Sequence, residues 1–172
     1  MLFRSYTLLM MSSTFLTTPH LSRNVPYDAL RDFTGVTLIA WLPQLMVAHP
    51  SLPVKTVKDF IALAKTRPGE INYASAGTSS VGDLATELFN RRAGIRTNAV
   101  PYKGNAPAMI DTVGGQVQLF FGAIGPMLPY VGSGRLRALG VSSAKRSPLL
   151  PDVPAIAETL PGYEAEIGRA HV

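Results

Sequence analysis

From residue 35 to residue 143 the chain alternates short runs of β-branched and aromatic residues with helical patterns, and the links between them are a few residues of glycine, proline and hydroxyl side chains. The strand-like runs are GVTLIAWLPQLMVAH (35–49), INYAS (71–75), TNAVPY (97–102), VQLFFG (117–122) and LRALGVSS (136–143), and YTLLMM (6–11) precedes them. A hydrophobic period that switches between 2 and 3.6 residues marks strand–helix alternation. With links this short the helices must fold back onto the faces of a parallel or mixed sheet, so the expected class is α/β.

The helical segments carry their own start and stop signals. TVKDFIALAKTRPGE opens on Thr56 with Asp59 as a capping-box partner, sets Val57, Phe60, Ile61 and Ala64 on one face, and is stopped by Pro68-Gly69. A second helix over 81–92 is expected to be capped by Ser80, with Asp83 as its partner, and to bury Leu84, Ala85, Leu88 and Phe89. It closes at Gly94, after Arg91 and Arg92 have placed cations where the helix dipole favours them. NAPAMIDTVGGQ (105–116) and GPMLPYVGSG (125–134) read as two shorter helices. Prolines 148, 151, 154 and 161 reduce the stretch 143–164 to a connector with a helical turn or two around Ala155–Thr159.

Composition narrows the chemistry. At 172 residues the chain has the length of one domain or of two small lobes joined by crossing strands. The formal charge of +5 is spread over scattered Lys and Arg, with no basic stripe interleaved with aromatics, so no nucleic-acid partner is expected. With no cysteine, disulfides, thiolate metal sites and a Cys nucleophile are excluded. Three histidines, at 20, 49 and 171, fit no helical metal pair, and the carboxylates are isolated in sequence, so neither a metal nor another cofactor is expected and an enzyme has little to work with. Nowhere do 18 apolar residues run together, so no membrane-spanning helix is expected. The opening MLFRSYTLLMMSSTFLTT breaks at Ser12-Ser13 without a small-residue cleavage site, and reads as a strand entering a hydroxyl loop rather than as a leader.

Four strand ends could bind a ligand. In ASAGTSS the small residues Ala76 and Gly77 and the hydroxyls Thr78, Ser79 and Ser80 lie between a strand and a helix start, where backbone N–H groups and the helix dipole favour an anion. Gly77 and Gly82 have the spacing of a phosphate-binding P-loop, but Asp83 stands where that loop needs Lys, so a nucleotide is not expected. Taken alone, the motif reads more readily as a plain N-cap. Tyr102 and Lys103 in VPYKG could offer a hydrogen-bonding wall and a point charge, or form only a solvated turn. Ser12, Ser13 and Thr14 follow a strand end in the same way, and Gly122-Ala123 in FFGAIGP form an uncharged strand-to-helix turn whose default meaning is packing.

Several of these pieces, in this order, resemble the periplasmic solute-binding proteins of tripartite tricarboxylate transporters, also called the Bordetella uptake gene family. The resembling stretches include YTLLMMSST, VPYDALRDFTGVTLIA, INYASAGTSS, VPYKGNAPAMIDTVGGQVQLFFG and GRLRALGVSSAKRSPLLPDVPAIAETLPGYE, and they cover nearly all of residues 5–164. The resemblance implies a type II, Venus-flytrap binding protein that holds a small carboxylate or related organic anion between two lobes, works with membrane transporter subunits in the periplasm, and performs no catalysis. It maps the ligand loops onto Ser12–Thr14, Ala76–Ser80, Tyr102-Lys103 and Gly122-Ala123. Two positions depart from it: the family often has His where Asp83 stands and Asp-Asn where Gly122-Ala123 stand.

On the same comparison the chain reads as a fragment, with one nearly complete lobe and remnants of the other. Residues 1–48 would be part of the first lobe and a crossing strand, 49–137 the second lobe, and 138–166 the return strand and more of the first lobe. IGRAHV (167–172) leaves the family pattern and matches a translated sequencing adapter, so a non-native tail is expected there. With half of a cleft missing, the apolar faces of YTLLMM and TLIAWLPQLMV are expected to lie uncovered. The rival readings are an interaction module without a ligand, and a hydrolase using Ser79 or Ser80, which lacks a G-x-S-x-G elbow and a histidine nearby.

Overall fold

The computed structural model describes residues 9–11, 14–21, 24–77 and 80–171. Two compact units emerge, one from Met1–Leu42 with Ile167–Val172 and one from Pro43–Glu166. The second takes in residues 43–48 and 138–166 as well as the 49–137 expected of the second lobe.

In chain order the elements are β1 (Met10–Met11), α1 (Thr14–Leu21), β2 (Thr37–Ala48), α2 (Val57–Thr66), β3 (Asn72–Ser75), α3 (Val81–Ala93), β4 (Asn98–Pro101), α4 (Asn105–Val113), β5 (Leu119–Ala123), α5 (Ile124–Gly132), β6 (Arg137–Val141) and β7 (Glu166–His171). In the first unit, β1 pairs antiparallel with β7, Met10 opposite His171. Of the expected strand 6–11, residues 6–8 lie outside the described residues. Thr14 begins helix α1 rather than continuing a hydroxyl loop, a correction to the sequence reading. Phe15 is stacked on Tyr27 with ring centroids 4.4 Å apart and meets Phe33 edge-on at 4.8 Å, which gives this unit a small aromatic centre.

In the second unit the sheet order is β6-β2-β5-β3-β4. β2 runs antiparallel to both β5 and β6, while β5, β3 and β4 are mutually parallel. Alternation along the strands divides the core in two. Met46, Tyr73, Leu119, Phe121 and Leu139 face α2 and α3, and Leu45, Val47, Ala74, Phe120 and Val141 face α4 and α5. The expected uncovered face of β2 is overturned for its second half, where Leu45 to Ala48 are all fully buried between β5 and β6.

Local signals account for the helix positions. Both halves of the Thr56–Asp59 capping box form, with Asp59 N donating to Thr56 Oγ1 at 3.1 Å and Thr56 N to Asp59 Oδ2 at 3.0 Å. Ser80 Oγ accepts from Asp83 N at 3.3 Å, and Gly94 ends α3 in the left-handed region. The apolar stripe expected of α3 is partly wrong: Leu84 is 39% exposed, and the buried face is Ala85, Thr86, Phe89, Asn90 and Ala93. Thr86 and Asn90 are admitted because their polar atoms are satisfied, by Gly82 O at 2.7 Å and Thr97 Oγ1 at 2.9 Å.

The proline-rich connector packs as expected through a single 3-10 turn, Ile156–Glu158, with Ile156 fully buried. Glu158 ties it down. Its carboxylate accepts a two-pronged contact from Arg146, 2.8 Å at each prong, and a bond from Ala155 N at 2.9 Å. The guanidinium, helped by that backbone donor, lowers the Glu158 carboxyl from its ordinary 4.5 to about 2. A carboxyl depressed in the folded state stabilises above its unfolded value and loses that contribution as pH falls from about 4.5 towards about 2. Glu158→Gln is therefore expected to lower Tm at pH 6 and to make no difference at pH 2, a contrast readable by thermal unfolding at the two pH values.

Candidate functional site

Because β3, β4 and β5 are parallel, their carboxyl ends share one edge of the sheet. Each of those ends runs within a few residues into a helix, so the N-termini of α3, α4 and α5 gather at that edge. β3 passes the chain through α3, on one face, to β4 on one side. β5 passes it through α5, on the other face, to β6 on the other side. Adjacent strands whose connections leave in opposite directions open a crevice at their carboxyl ends, which is where open α/β sheets bind ligands.

Of the sequence-derived candidates, Ala76, Gly77 and Ser80 follow β3, Tyr102 and Lys103 follow β4, and Gly122 and Ala123 end β5. All seven come together at this edge. Ser12, Ser13, Thr78 and Ser79, and the side chain of Thr14, lie outside the described residues. Gly77 adopts φ +126°, a conformation that favours glycine, and a Cβ there would stand 4.0 Å from Tyr102 O. Tyr102 N donates to Ser75 O at 2.8 Å, which fixes the β3 loop against the end of β4.

The three helix starts differ in how their free N–H groups are served. Ser80 caps α3 with its hydroxyl, whereas α4 follows Gly104 and α5 follows Ala123, neither of which makes a side-chain cap bond. First-turn N–H groups left without a cap are donors for an anion, and the helix dipole adds to their pull. Lys103 is exposed and, among the described residues, forms no ion pair. Gly82 brings α3 close to the strand: a Cβ on it would lie 2.3 Å from Phe121 O.

Two carboxylates that could oppose an anion, Asp83 and Glu87, meet the same phenol. Asp83 Oδ1 accepts from the Tyr73 hydroxyl at 2.9 Å, and Glu87 Oε1 stands 3.1 Å from the same hydroxyl. Burial first, then these carboxylates, push the Tyr73 phenol well above its ordinary value, so it stays a neutral donor. The pKa of Tyr102 is raised by burial first and then by the Asp111 carboxylate, far along α4. The ring of Tyr102 packs against the second core cluster. Tyr73→Phe is expected to cost about 1.5 kcal/mol, the lower end for a hydrogen bond to a charged group, because Asp83 and Glu87 are water-accessible; urea denaturation measures it.

Two features were not foreseen from sequence. A cavity of about 200 Å³ lies beside Ala123, between Asn105, Ala106 and Met109 of α4 and Pro126 and Met127 of α5, with Phe120 also in its wall. β6 ends at the same edge, where Ser142 Oγ accepts from Gln44 N at 2.7 Å and donates to Ala165 O at 2.6 Å. Ser79 lies outside the described residues, and among the described ones nothing favours hydrolase chemistry. Ser80 Oγ is occupied as a cap, and His49, beyond the carboxyl end of antiparallel β2, stands at the opposite edge of the sheet, its Nδ1 2.8 Å from Ser51 Oγ.

Comparison with known proteins adds to this geometry. The model of the tripartite tricarboxylate transporter family receptor matches residues 4–168. Protein BugT of Bordetella pertussis is 38% identical over 155 residues, which are 89% of this chain and 48% of that protein. Among solved structures, an R. palustris protein with adipate superposes with a TM-score of 0.89 at 39% identity, over 96% of this chain and 56% of its own. MatC from Rhodopseudomonas palustris with bound malate gives 0.77 at 30% identity, over 85% and 50%. The chain spans about half the length of the curated relatives it matches. The fold is that of one lobe of a periplasmic binding protein.

Proposed function

This chain belongs to the tripartite tricarboxylate transporter receptor family, and we propose that it supplies a ligand-binding lobe of a periplasmic solute receptor for a small carboxylate or related organic anion. The observation that carries this reading is the sheet edge at which α3, α4 and α5 all begin, two of them without a side-chain cap and with Lys103 alongside. Such an edge offers neutral backbone donors and an exposed cation to a carboxylate and, among the described residues, no acid–base pair for chemistry. Related receptors solved with adipate and with malate support the same ligand class.

The residues facing the anion are Ala76, Gly77 and Ser80 after β3, Lys103 after β4, and Gly122 and Ala123 at the end of β5, with Thr78 and Ser79 in the same loop. Tyr102 contributes its backbone and ring. Ser12, Ser13 and Thr14 are further candidate ligand residues on the family resemblance. Closure of two lobes on the anion then presents the loaded receptor to tripartite transporter subunits in the membrane.

Calorimetric titration of the chain, and of a receptor completed to the length of its relatives, against dicarboxylates, tricarboxylates, aromatic acids and amino acids tests the reading. Saturable binding of at least one carboxylate supports it. Silence across the panel from the completed receptor would overturn it in favour of an interaction module.

A further inference from the structure

The cavity beside Ala123 is apolar in a way the anion-binding edge is not. Phe120 and Met127, in its wall, are each 1% exposed, and Met109 and Ala106 add only hydrocarbon and thioether surface. The polar side chain in the lining is Asn105, the first residue of α4 and two residues after Lys103. Ala123 belongs both to this lining and to the strand end at which α5 starts, so an acid held by the helix N-termini has its body directed at the cavity.

The volume sets a size. At about 200 Å³ the cavity exceeds the roughly 150 Å³ in which an apolar pocket takes up benzene. Gly122 keeps that space open. A Cβ on it would lie 2.5 Å from Met127 Cε and 2.7 Å from Phe120 Cε1, so any side chain at 122 drives the thioether or the ring out of position.

Resting on the carboxylate reading above, we infer that this cavity is a subsite for the apolar body of the ligand, and that the site prefers acids carrying a six-carbon ring or chain over short hydroxylated acids. The carboxylate stays at the helix starts, where water and backbone donors serve it. The hydrocarbon enters the gap between α4 and α5, where a hydroxyl would lose its hydrogen bonds to water without replacement.

The test uses the full 172-residue chain labelled uniformly with ¹⁵N and with ¹³C at the methionine methyls. Met109 and Met127 report on the cavity, and Met46, on the opposite face of the sheet, is the control. Benzoate, neutral benzyl alcohol and malate are the probes. Benzoate and benzyl alcohol are expected to shift Met109 and Met127 but not Met46, with benzoate at least tenfold tighter. Malate is expected to move backbone amides near Gly77 and Asn105 without moving these methyls. Ala106→Leu, which fills the mouth from an exposed helix position, should abolish the benzoate and benzyl alcohol shifts of Met109 and Met127 while the Met46 signal keeps its position. Malate binding without any benzoate response at Met109 and Met127 would overturn the subsite while the carboxylate reading stands. Benzyl alcohol binding as tightly as benzoate would leave the cavity but overturn both the carboxylate reading and the inference built on it.

Discussion

Gly82→Ala is expected to destabilise the Pro43–Glu166 unit by about 2–3 kcal/mol, although in an exposed helix interior the same change stabilises by about 1 kcal/mol. The sign reverses because the new Cβ would stand 2.3 Å from Phe121 O. That oxygen belongs to β5, which is paired on both sides, with β2 and β3, and cannot swing aside as a side-chain tip could. The first turn of α3 must therefore lift off the sheet. Since that turn carries Ser80 and one of the three helix starts, carboxylate affinity is expected to fall together with stability. Urea denaturation and ligand titration of the same variant read both effects; a variant as stable as the parent would contradict the packing described for α3.

Phe89→Ala is expected to cost more, about 3–5 kcal/mol. Phe89 is fully buried, and its ring stands about 6 Å from three others, Phe60 on α2 and Phe121 on β5 at 6.0 Å and Tyr163 of the connector at 5.9 Å. Truncation removes the ring that joins two helices, the sheet and the proline-rich segment, and those elements cannot all collapse into the void. Domains are stable by only about 5–15 kcal/mol, so the variant would be left close to unfolding. A fall in the urea midpoint at unchanged m-value is the expected signature. Loss of less than about 1 kcal/mol would mean that the four rings are not one cluster.

Much of this was legible in the residues, and the exceptions share a cause. Thr56 with Asp59, Ser80 and Gly94 mark helix ends through bonds made within a few residues, and Pro68 stops a helix through its own ring, so one segment suffices to read them. The ASAGTSS, VPYKG and FFGAIGP turns could each be identified as strand ends. That they meet at one edge depends on the order β5-β3-β4, which no single turn encodes. The burial of Thr86 and Asn90 in place of Leu84 depends on where α3 lies over β5, fixed by the close approach at Gly82. That Asp83, which stands where a P-loop needs Lys, accepts a bond from a phenol follows only from the position of Tyr73 on the adjacent strand. The cavity is a property of the gap between α4 and α5 and has no counterpart in any stretch of sequence.

The central claim is that a carboxylate is held where α3, α4 and α5 begin. The most direct measurement is an amide ¹H–¹⁵N titration of the chain with a six-carbon dicarboxylate. Shifts are expected at Gly77, Ser80, Asn105 and Ile124, with Ile95 and His49 at the far edge of the sheet unchanged. Saturable shifts centred on His49 and Ile95, with Gly77, Asn105 and Ile124 unmoved, would contradict the account.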